Sequence, residues 1–113
     1  MTSRDKERRT DRRLPIKVPL LVLNLSEEDW KEEVMTEDVS AQGLLCHLSH
    51  IVSLGERLNL KARLHNGSAI ELMGRVAHIV PVSKNQNRVG VEVVGDSKQW
   101  EQFFLSWAVD ERD

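Results

Sequence analysis

Apolar and polar residues alternate with a period of two over much of this chain, most clearly near its middle. Between residues 58 and 64, four apolar side chains alternate with three polar ones. This period predicts a β-strand with one buried face and one face in water. Asn66-Gly67 follows and predicts a hairpin with a type I′ turn, because such a turn needs positive φ at both central residues. The return strand is predicted over Ala69 to Val80.

Four further segments have the composition of strands. They run from Ile16 to Leu25, Val34 to Ser40, Gly43 to Leu48 and Arg88 to Val94. Pro15 and Pro19 favour a sheet edge for the first of them, because proline cannot donate to a strand ladder. The acidic segment Ser26 to Glu33 is predicted as a loop or a short helical turn, and Ser83 to Asn87 as a polar turn.

The period changes after Gly95, where Asp96 is a good candidate for a helix N-cap. Four of the five aromatic residues then follow at the spacing of one helix face: Trp100, Phe103, Phe104 and Trp107. Such a stripe is far more often core than a stacking platform for bases. Six antiparallel strands and one aromatic-faced helix predict a mainly all-β fold, a small closed six-stranded β-barrel with a C-terminal α-helix packed against it.

The chain has 113 residues and a formal net charge of −2. This length suits one domain, and the near-neutral charge provides no global field to attract nucleic acid. Residues 1–13 are predicted to be a flexible basic arm, since six basic residues stand against three acidic ones from Arg4 to Arg13. Residues 14–109 form the predicted barrel with its helix, and residues 110–113 an acidic tail.

Cys46 is the single cysteine, so no disulfide can form within the chain. This suits a reducing compartment, and the position of Cys46 in an apolar strand suits a small buried side chain. The N-terminus has no apolar run typical of a secretory signal, and no segment approaches membrane-spanning length. We therefore expect a cytoplasmic protein without membrane insertion.

Arginines are concentrated in residues 8 to 13, just before the first predicted strand. Arginine presents five donors in a planar fork that matches phosphate oxygens and the O6/N7 edge of guanine, and its flat face stacks on purines. Arg9 and Arg13 are four residues apart, and so are Arg8 and Arg12, so spacing alone does not choose between the pairs. The simpler alternative is a solvated basic tail.

A second polar motif, Asp38-x-Ser40-x-x-Gly43, separates two predicted strands. Strand alternation predicts that Asp38 and Ser40 face outward while Val39 faces inward. A carboxylate accepts two hydrogen bonds at once, which suits the N1–H and N2–H₂ edge of guanine. Gly43 is predicted to turn the backbone at positive φ and to permit close approach. The alternative is an ordinary turn stabilised by Asp and Ser.

The other reactive side chains lack the partners that chemistry needs. His47 and His50 are three residues apart, but no nearby cysteine or carboxylate in the sequence completes a metal site, so surface or packing roles are favoured. His65 adjoins the predicted turn and His78 lies in a strand, and neither has a nucleophile beside it. We therefore expect no catalytic residues, no metal and no cofactor.

Taken together, the two motifs resemble the signatures of the PilZ domain family, Arg-x-x-x-Arg followed by Asp/Asn-x-Ser-x-x-Gly. The resemblance extends from about Arg8 to Val109. Arg13-Leu14-Pro15-Ile16 resembles the family's usual exit from its first signature, which favours Arg9 and Arg13 as the matching pair. Residues 88–93 resemble the family's last barrel strand, although the family commonly has an aromatic residue where Val93 stands.

The resemblance implies a receptor for cyclic di-GMP, a bacterial second messenger with two guanines and two phosphates. Its ligand-binding residues would be Arg8, Arg9, Arg13, Asp38, Ser40 and Gly43. Arg9 and Arg13 would take phosphate and guanine edges. Asp38 would hold the Watson–Crick edge of a guanine, framed by Ser40 and Gly43. Arg8 would contact a second, intercalated ligand molecule.

The expected mechanism is that binding orders the arginine arm and thereby changes the surface offered to an unidentified partner protein. The protein itself is expected to be a monomer or a weak homodimer. One alternative is a PilZ-like adaptor that binds no nucleotide, although such members tend to lack the arginine signature. A less favoured alternative is an RNA-binding barrel, which needs surface aromatics among basic residues.

Overall fold

The structure, a computed structural model, describes residues 13–24, 30–64, 67–95 and 98–112, with side chains described as far as Ser106. Six antiparallel strands are followed by one helix: β1 (Pro19–Asn24), β2 (Trp30–Val39), β3 (Gly43–Leu48), β4 (Arg57–Arg63), β5 (Ala69–Ser83), β6 (Gln86–Val94) and α1 (Lys98–Arg112). The strands close in the order β1-β2-β3-β6-β5-β4. The predicted fold class, a six-stranded antiparallel barrel with a C-terminal helix, is confirmed.

Alternating side chains fill the inside of the barrel. Leu58, Leu60 and Ala62 of β4 are buried, while the residues between them are exposed or half-buried. On α1, Trp100 is completely buried, and Phe103 and Phe104 belong to the same apolar core. The predicted aromatic core face is confirmed for these three residues; the side chain of Trp107 and the predicted cap at Asp96 lie outside the described part. No helix of the described residues is long and apolar enough to cross a membrane.

The first two strands differ from prediction. β1 begins at Pro19 and pairs with β2 on one side and β4 on the other, so the expected edge position is wrong. Closure of the barrel leaves no edge there, and proline is tolerated as the first residue of a strand. The loop or helical turn predicted over Ser26 to Glu33 is wrong for residues 30–33, which form the start of β2 opposite β1.

The hairpin between β4 and β5 also has a different turn. The Gly67 amide donates to the Leu64 carbonyl, and the Leu64 amide donates to the Ser68 carbonyl, so three residues lie between the bonded pair. Gly67 has φ +89°, whereas Asn66 lies outside the described residues. The predicted two-residue type I′ turn is therefore wrong; a three-residue loop with glycine at positive φ replaces it.

β5 is the longest strand and extends further than predicted, to Ser83. Its pairing with β4 covers Ala69 to Arg75, and two backbone hydrogen bonds join Val76 to residues 55 and 56. From residue 77 to 83, the strands described here pair with β5 only on its β6 side. Pro81 lies within this stretch, opposite Asn87.

Two histidines lie beside carboxylates on β2. His47 Nε2 is 2.9 Å from Glu37 Oε1, and His50 Nδ1 is 2.7 Å from Glu32 Oε1. The His50 ring also stacks on Trp30, with centroids 4.2 Å apart and planes 6° from parallel. These contacts give both histidines packing partners.

The pKa values of Glu32 and Cys46 are shifted in opposite directions. Burial raises the pKa of Glu32, but hydrogen bonds from the His50 side chain and the Ser49 and His50 amides outweigh it, and the pKa lies below its ordinary value. Burial raises the pKa of the Cys46 thiol to about 12. Cys46 is thus an unreactive core residue at neutral pH.

Candidate functional site

A backbone bridge brings Arg13 to the end of β2. The Leu14 amide donates to the Val39 carbonyl at 2.8 Å, and the Val39 amide returns a bond to the Leu14 carbonyl at 2.9 Å. Leu14 and Val39 are both buried, which anchors the bridge in the core. Arg13, the preceding residue, lies with its Nη1 3.1 Å from Asp38 Oδ1. The two sequence motifs therefore meet through these two side chains.

Thr36 holds the segment that follows Arg13 against β2. Its hydroxyl accepts a hydrogen bond from the Val18 amide at 2.8 Å and donates one to the Ile16 carbonyl at 2.7 Å. The Thr36 amide donates to the Val18 carbonyl at 3.0 Å. Because Thr36 is completely buried, water cannot replace these hydrogen bonds. Residues 14–18 are therefore joined to β2 before β1 begins.

A bulge in β2 directs Asp38 outward. The register with β3 shifts between Thr36 and Asp38, and both Glu37 and Asp38 are half-buried while Thr36 and Val39 are buried. A bulge adds one residue on one strand and re-aims side chains. The Asp38 carboxylate is 20% exposed and the Arg13 side chain 42%, so the pair lies at the surface where a ligand can reach it.

Ser40 does not face outward as predicted; it is buried, with only 6% of its surface exposed. Its hydroxyl accepts from the Gly43 amide at 3.2 Å, and its amide donates to the Gly43 carbonyl at 2.8 Å. The indole N–H of Trp100 donates to the Ser40 carbonyl at 2.8 Å. The prediction failed because Ser40 lies past the end of β2, where strand alternation no longer applies. Ser40 shapes the turn between β2 and β3.

Gly43 does not have the positive φ predicted for it, since the described glycines at positive φ are Gly55, Gly67 and Gly95. The predicted close approach is present, but it is made by the neighbouring strand. A Cβ at Gly43 would lie 2.1 Å from the Val91 carbonyl oxygen of β6. Glycine is needed at position 43 because no side-chain carbon fits there.

A cavity of about 300 Å³ lies on the outside of the barrel next to these groups. Its lining residues come from the segment before β1, the β2–β3 turn, β5 and β6: Arg13, Ser40, Gln42, Gly43, Ala77, His78, Gly90, Val91 and Glu92. Glu92 is paired with Arg75 at 2.6 Å. The β5 and β6 residues of this lining are not predictable from the sequence, because no local motif distinguishes them from ordinary strand residues.

The site therefore brings together four of the six predicted residues. Arg13, Ser40 and Gly43 line the cavity, and Asp38 contacts Arg13. Arg8 and Arg9 lie outside the described residues. A guanidinium group beside a carboxylate offers donors for phosphate and acceptors for the N–H groups of a base. Among the described residues, no group of three or more His, Cys, Asp or Glu side chains is placed to hold a metal ion.

Comparison with known proteins concerns the family and the fold. The family model described as PilZ domain matches residues 7–104. No curated protein matches the sequence at a significant level. Among solved structures, the PilZ domain of CeSA from a cellulose synthesizing bacterium is 19% identical with a TM-score of 0.62, covering 91% of this chain and all of that one.

Two longer proteins have the same fold in part of their length. The inhibitor of motility MotI/DgrA of Bacillus subtilis is 18% identical with a TM-score of 0.66, and the match covers 89% of this chain and 51% of that one. YcgR of Escherichia coli in complex with c-di-GMP is 13% identical with a TM-score of 0.65, over 89% and 47% of the two chains. The chain thus spans about half the length of these two relatives.

Proposed function

The chain belongs to the PilZ domain family, and from this premise we propose that it is a receptor for cyclic di-GMP and not an enzyme. The observation that carries the proposal is the contact between the two sequence motifs. Arg13 and Asp38 are 25 residues apart in sequence, yet their side chains lie 3.1 Å apart beside the outer cavity. Such a receptor would act in the bacterial cytoplasm, where the messenger is made.

The Arg13–Asp38 pair supplies complementary chemistry for a guanine nucleotide. Arg13 would bind a phosphate or the O6/N7 edge of guanine, and Asp38 would accept from N1–H and N2–H₂. Surface ion pairs of this kind contribute only about 0–1 kcal/mol to folding. The pair therefore costs little to separate when a ligand inserts between the two groups or bridges them.

The size of the cavity suits one part of the ligand. At about 300 Å³ it lies at the lower end of the range of about 300–1,000 Å³ for small-molecule sites. One base with its phosphate would occupy it, framed by the turn from Ser40 to Gly43. The remainder of the dinucleotide would project from the barrel wall, where Arg8 and Arg9 of the preceding segment are proposed to cover it.

We further propose that the ligand fixes the arm of residues 1–13 over the barrel and that a partner protein recognises the new surface. The bridge between Leu14 and Val39 supports this mechanism, because it anchors the arm at the edge of the cavity. A ligand shifts a conformational equilibrium only by its differential affinity for the two states. Contacts from Arg8 and Arg9 would supply that difference.

Calorimetry with cyclic di-GMP tests the proposed receptor function. The wild-type chain should bind, and Arg9→Ala, Arg13→Ala and Asp38→Ala should each weaken binding at least tenfold. A contact with a charged group contributes about 1.5–3 kcal/mol, and 1.36 kcal/mol corresponds to a factor of ten. Lys31→Ala provides the charge-matched control, because Lys31 is exposed on β2 about 23 Å from Asp38 at about 3.3 Å per residue.

Two results would contradict the proposal. The first is that cyclic di-GMP gives no heat of binding and no shift in melting temperature with the folded protein. This result would favour an adaptor that binds no nucleotide. Equal weakening by Lys31→Ala and Arg13→Ala would indicate unspecific attraction between charges. In that case the contacts at this site would not carry the binding.

A further inference from the structure

A second bulge, in β5, directs His78 to the outer wall of the barrel. Leu72, Gly74 and Val76 are buried at alternate positions, so a regular strand would place His78 inside. The register with β6 shifts between Val76 and His78, and Ala77 and His78 are both exposed. Bulges are over-represented beside functional sites, where they re-aim a side chain.

The imidazole of His78 lies directly over the backbone of Gly90 on β6. A Cβ built at Gly90 would be 2.1 Å from His78 Cε1 and 2.5 Å from each ring nitrogen. These distances place that Cβ above the plane of the ring at Cε1, so one face of the imidazole covers the space that a side chain at position 90 would need. His78 and Gly90 both line the cavity that Arg13 also lines, and His78 is exposed.

The strand registers place His78 across the sheet from Asp38. His78 lies opposite Gly90, Gly90 opposite Leu45, and Leu45 opposite Asp38, which forms one row over β5, β6, β3 and β2. Neighbouring strands are about 4.8 Å apart, so the ring over β6 lies about 10 Å from the backbone of β2. Gly90 adds no side chain to this row, and Leu45 is only 8% exposed.

We propose that His78 is a further ligand-contacting residue, whose imidazole packs against a purine of the bound nucleotide opposite Arg13 and Asp38. This proposal rests on the proposed receptor function. Every base offers a π-face, and a ring held over a glycine presents a flat surface to it. Base–aromatic stacking is lost on alanine substitution at a cost of about 5- to 150-fold in affinity.

Calorimetry with cyclic di-GMP on three variants tests the proposal. His78→Ala should weaken binding about 5- to 150-fold, whereas His78→Phe, which keeps a flat ring, should stay within about threefold of wild type. Val80→Ala is the matched control, because Val80 is exposed on the same strand but lies opposite Arg88, outside the row of Asp38. It should bind like wild type.

Nuclear magnetic resonance distinguishes contact from an indirect packing effect. On adding cyclic di-GMP to the wild-type chain, the Cε1–H signal of His78 should shift through the ring current of the base. The signal of His50 should stay in place, because His50 contacts Glu32, about 20 Å along β2 from Asp38.

Three results would overturn the proposal, and they differ in what else they affect. If wild-type protein does not bind cyclic di-GMP, both the receptor function and the role of His78 fail. If wild type binds and His78→Ala binds equally well, only the role of His78 fails. The same follows if the His78 signal does not move at saturation.

Discussion

The hydroxyl of Thr36 satisfies two backbone groups that are buried with it. It accepts from the Val18 amide and donates to the Ile16 carbonyl, and Thr36 itself is completely inaccessible to water. These bonds hold the segment that leads from Arg13 into β1. Thr36 thus positions the arginine together with the backbone bridge between Leu14 and Val39.

Thr36→Val should destabilise the protein and weaken ligand binding together. Valine keeps the shape but leaves the Val18 amide and the Ile16 carbonyl without their bonds, at about 1–3 kcal/mol for each buried group. Urea unfolding measures the free energy, and calorimetry with cyclic di-GMP measures the affinity. Thr36→Ser retains the hydroxyl and is the control, so it should keep more stability and affinity than Thr36→Val. A valine variant that matches wild type in both measurements would show that these two hydrogen bonds do not hold the segment.

At the scale of residues, side chains with distinctive chemistry are predictable from the sequence. The exposure of a side chain is not predictable where it depends on backbone geometry. The proximity of Arg13 and Asp38 followed from the two motifs, and the structure brings these side chains together. The exposure of Ser40 was predicted wrongly because it depends on where β2 ends. The sequence does not distinguish His78 from an ordinary strand residue, because no local motif marks the bulge that turns it outward.

At the scale of elements, helix α1 reaches the candidate site through one hydrogen bond. The indole N–H of Trp100 donates to the carbonyl of Ser40, and Trp100 is wholly buried. The helix therefore supports the turn from Ser40 to Gly43 in addition to covering the barrel.

Trp100→Phe should lower both stability and affinity for cyclic di-GMP. Phenylalanine preserves an aromatic core residue but removes the indole donor, so the Ser40 carbonyl keeps only the longer bond from the Gly43 amide at 3.4 Å. The lost hydrogen bond costs about 0.5–1.5 kcal/mol. The turn then loses a restraint on its position. Thermal and urea unfolding measure the first effect, and calorimetry the second.

Leu105→Ala is the control on the same helix, since Leu105 is 57% exposed. Its stability should change by less than about 0.5 kcal/mol. A Trp100→Phe variant that loses stability but keeps full affinity would show that the helix does not act on the site.

The elements themselves were largely predictable, because burial on one side of a strand imposes the period of two. β4, with its buried Leu58 and Leu60, is predictable in this way, and the aromatic face of α1 is predictable from the helical spacing of its aromatic residues. The start of β2 was missed because residues 31 and 33 face water as Lys and Glu, and an acidic segment is typical of a loop. These residues form a strand because they pair with β1, and such pairing is not visible in the local sequence.

At the scale of the whole molecule, the closed barrel keeps the candidate site on its outer surface. The interior is filled by apolar side chains, so a nucleotide has no space there. Ligand binding is therefore expected to change the position of the arm over the barrel and not the structure of the barrel.

Hydrogen exchange measured with and without cyclic di-GMP tests this expectation. Amides of residues 8–13 should exchange more slowly with ligand, because the arm becomes fixed over the cavity. The Leu14 amide, already bonded to the Val39 carbonyl, is the internal reference and should be protected in both states. Equal exchange of residues 8–13 in both states, with binding confirmed by calorimetry, would exclude the arm as the switch.

The long β5–β6 hairpin has a consequence for how copies of this protein behave when crowded. Among the described strands, only β6 pairs with residues 77 to 83 of β5, so their other side can pair with an extended peptide, the arrangement from which fibres grow. Pro81 pairs with Asn87 of β6, and a proline in a sheet has its nitrogen on the unpaired side, so this position offers no amide hydrogen to an incoming strand. The hydrogen-bond ladder of an incoming strand is therefore interrupted at Pro81. This interruption protects the longest strand of the barrel from aggregation.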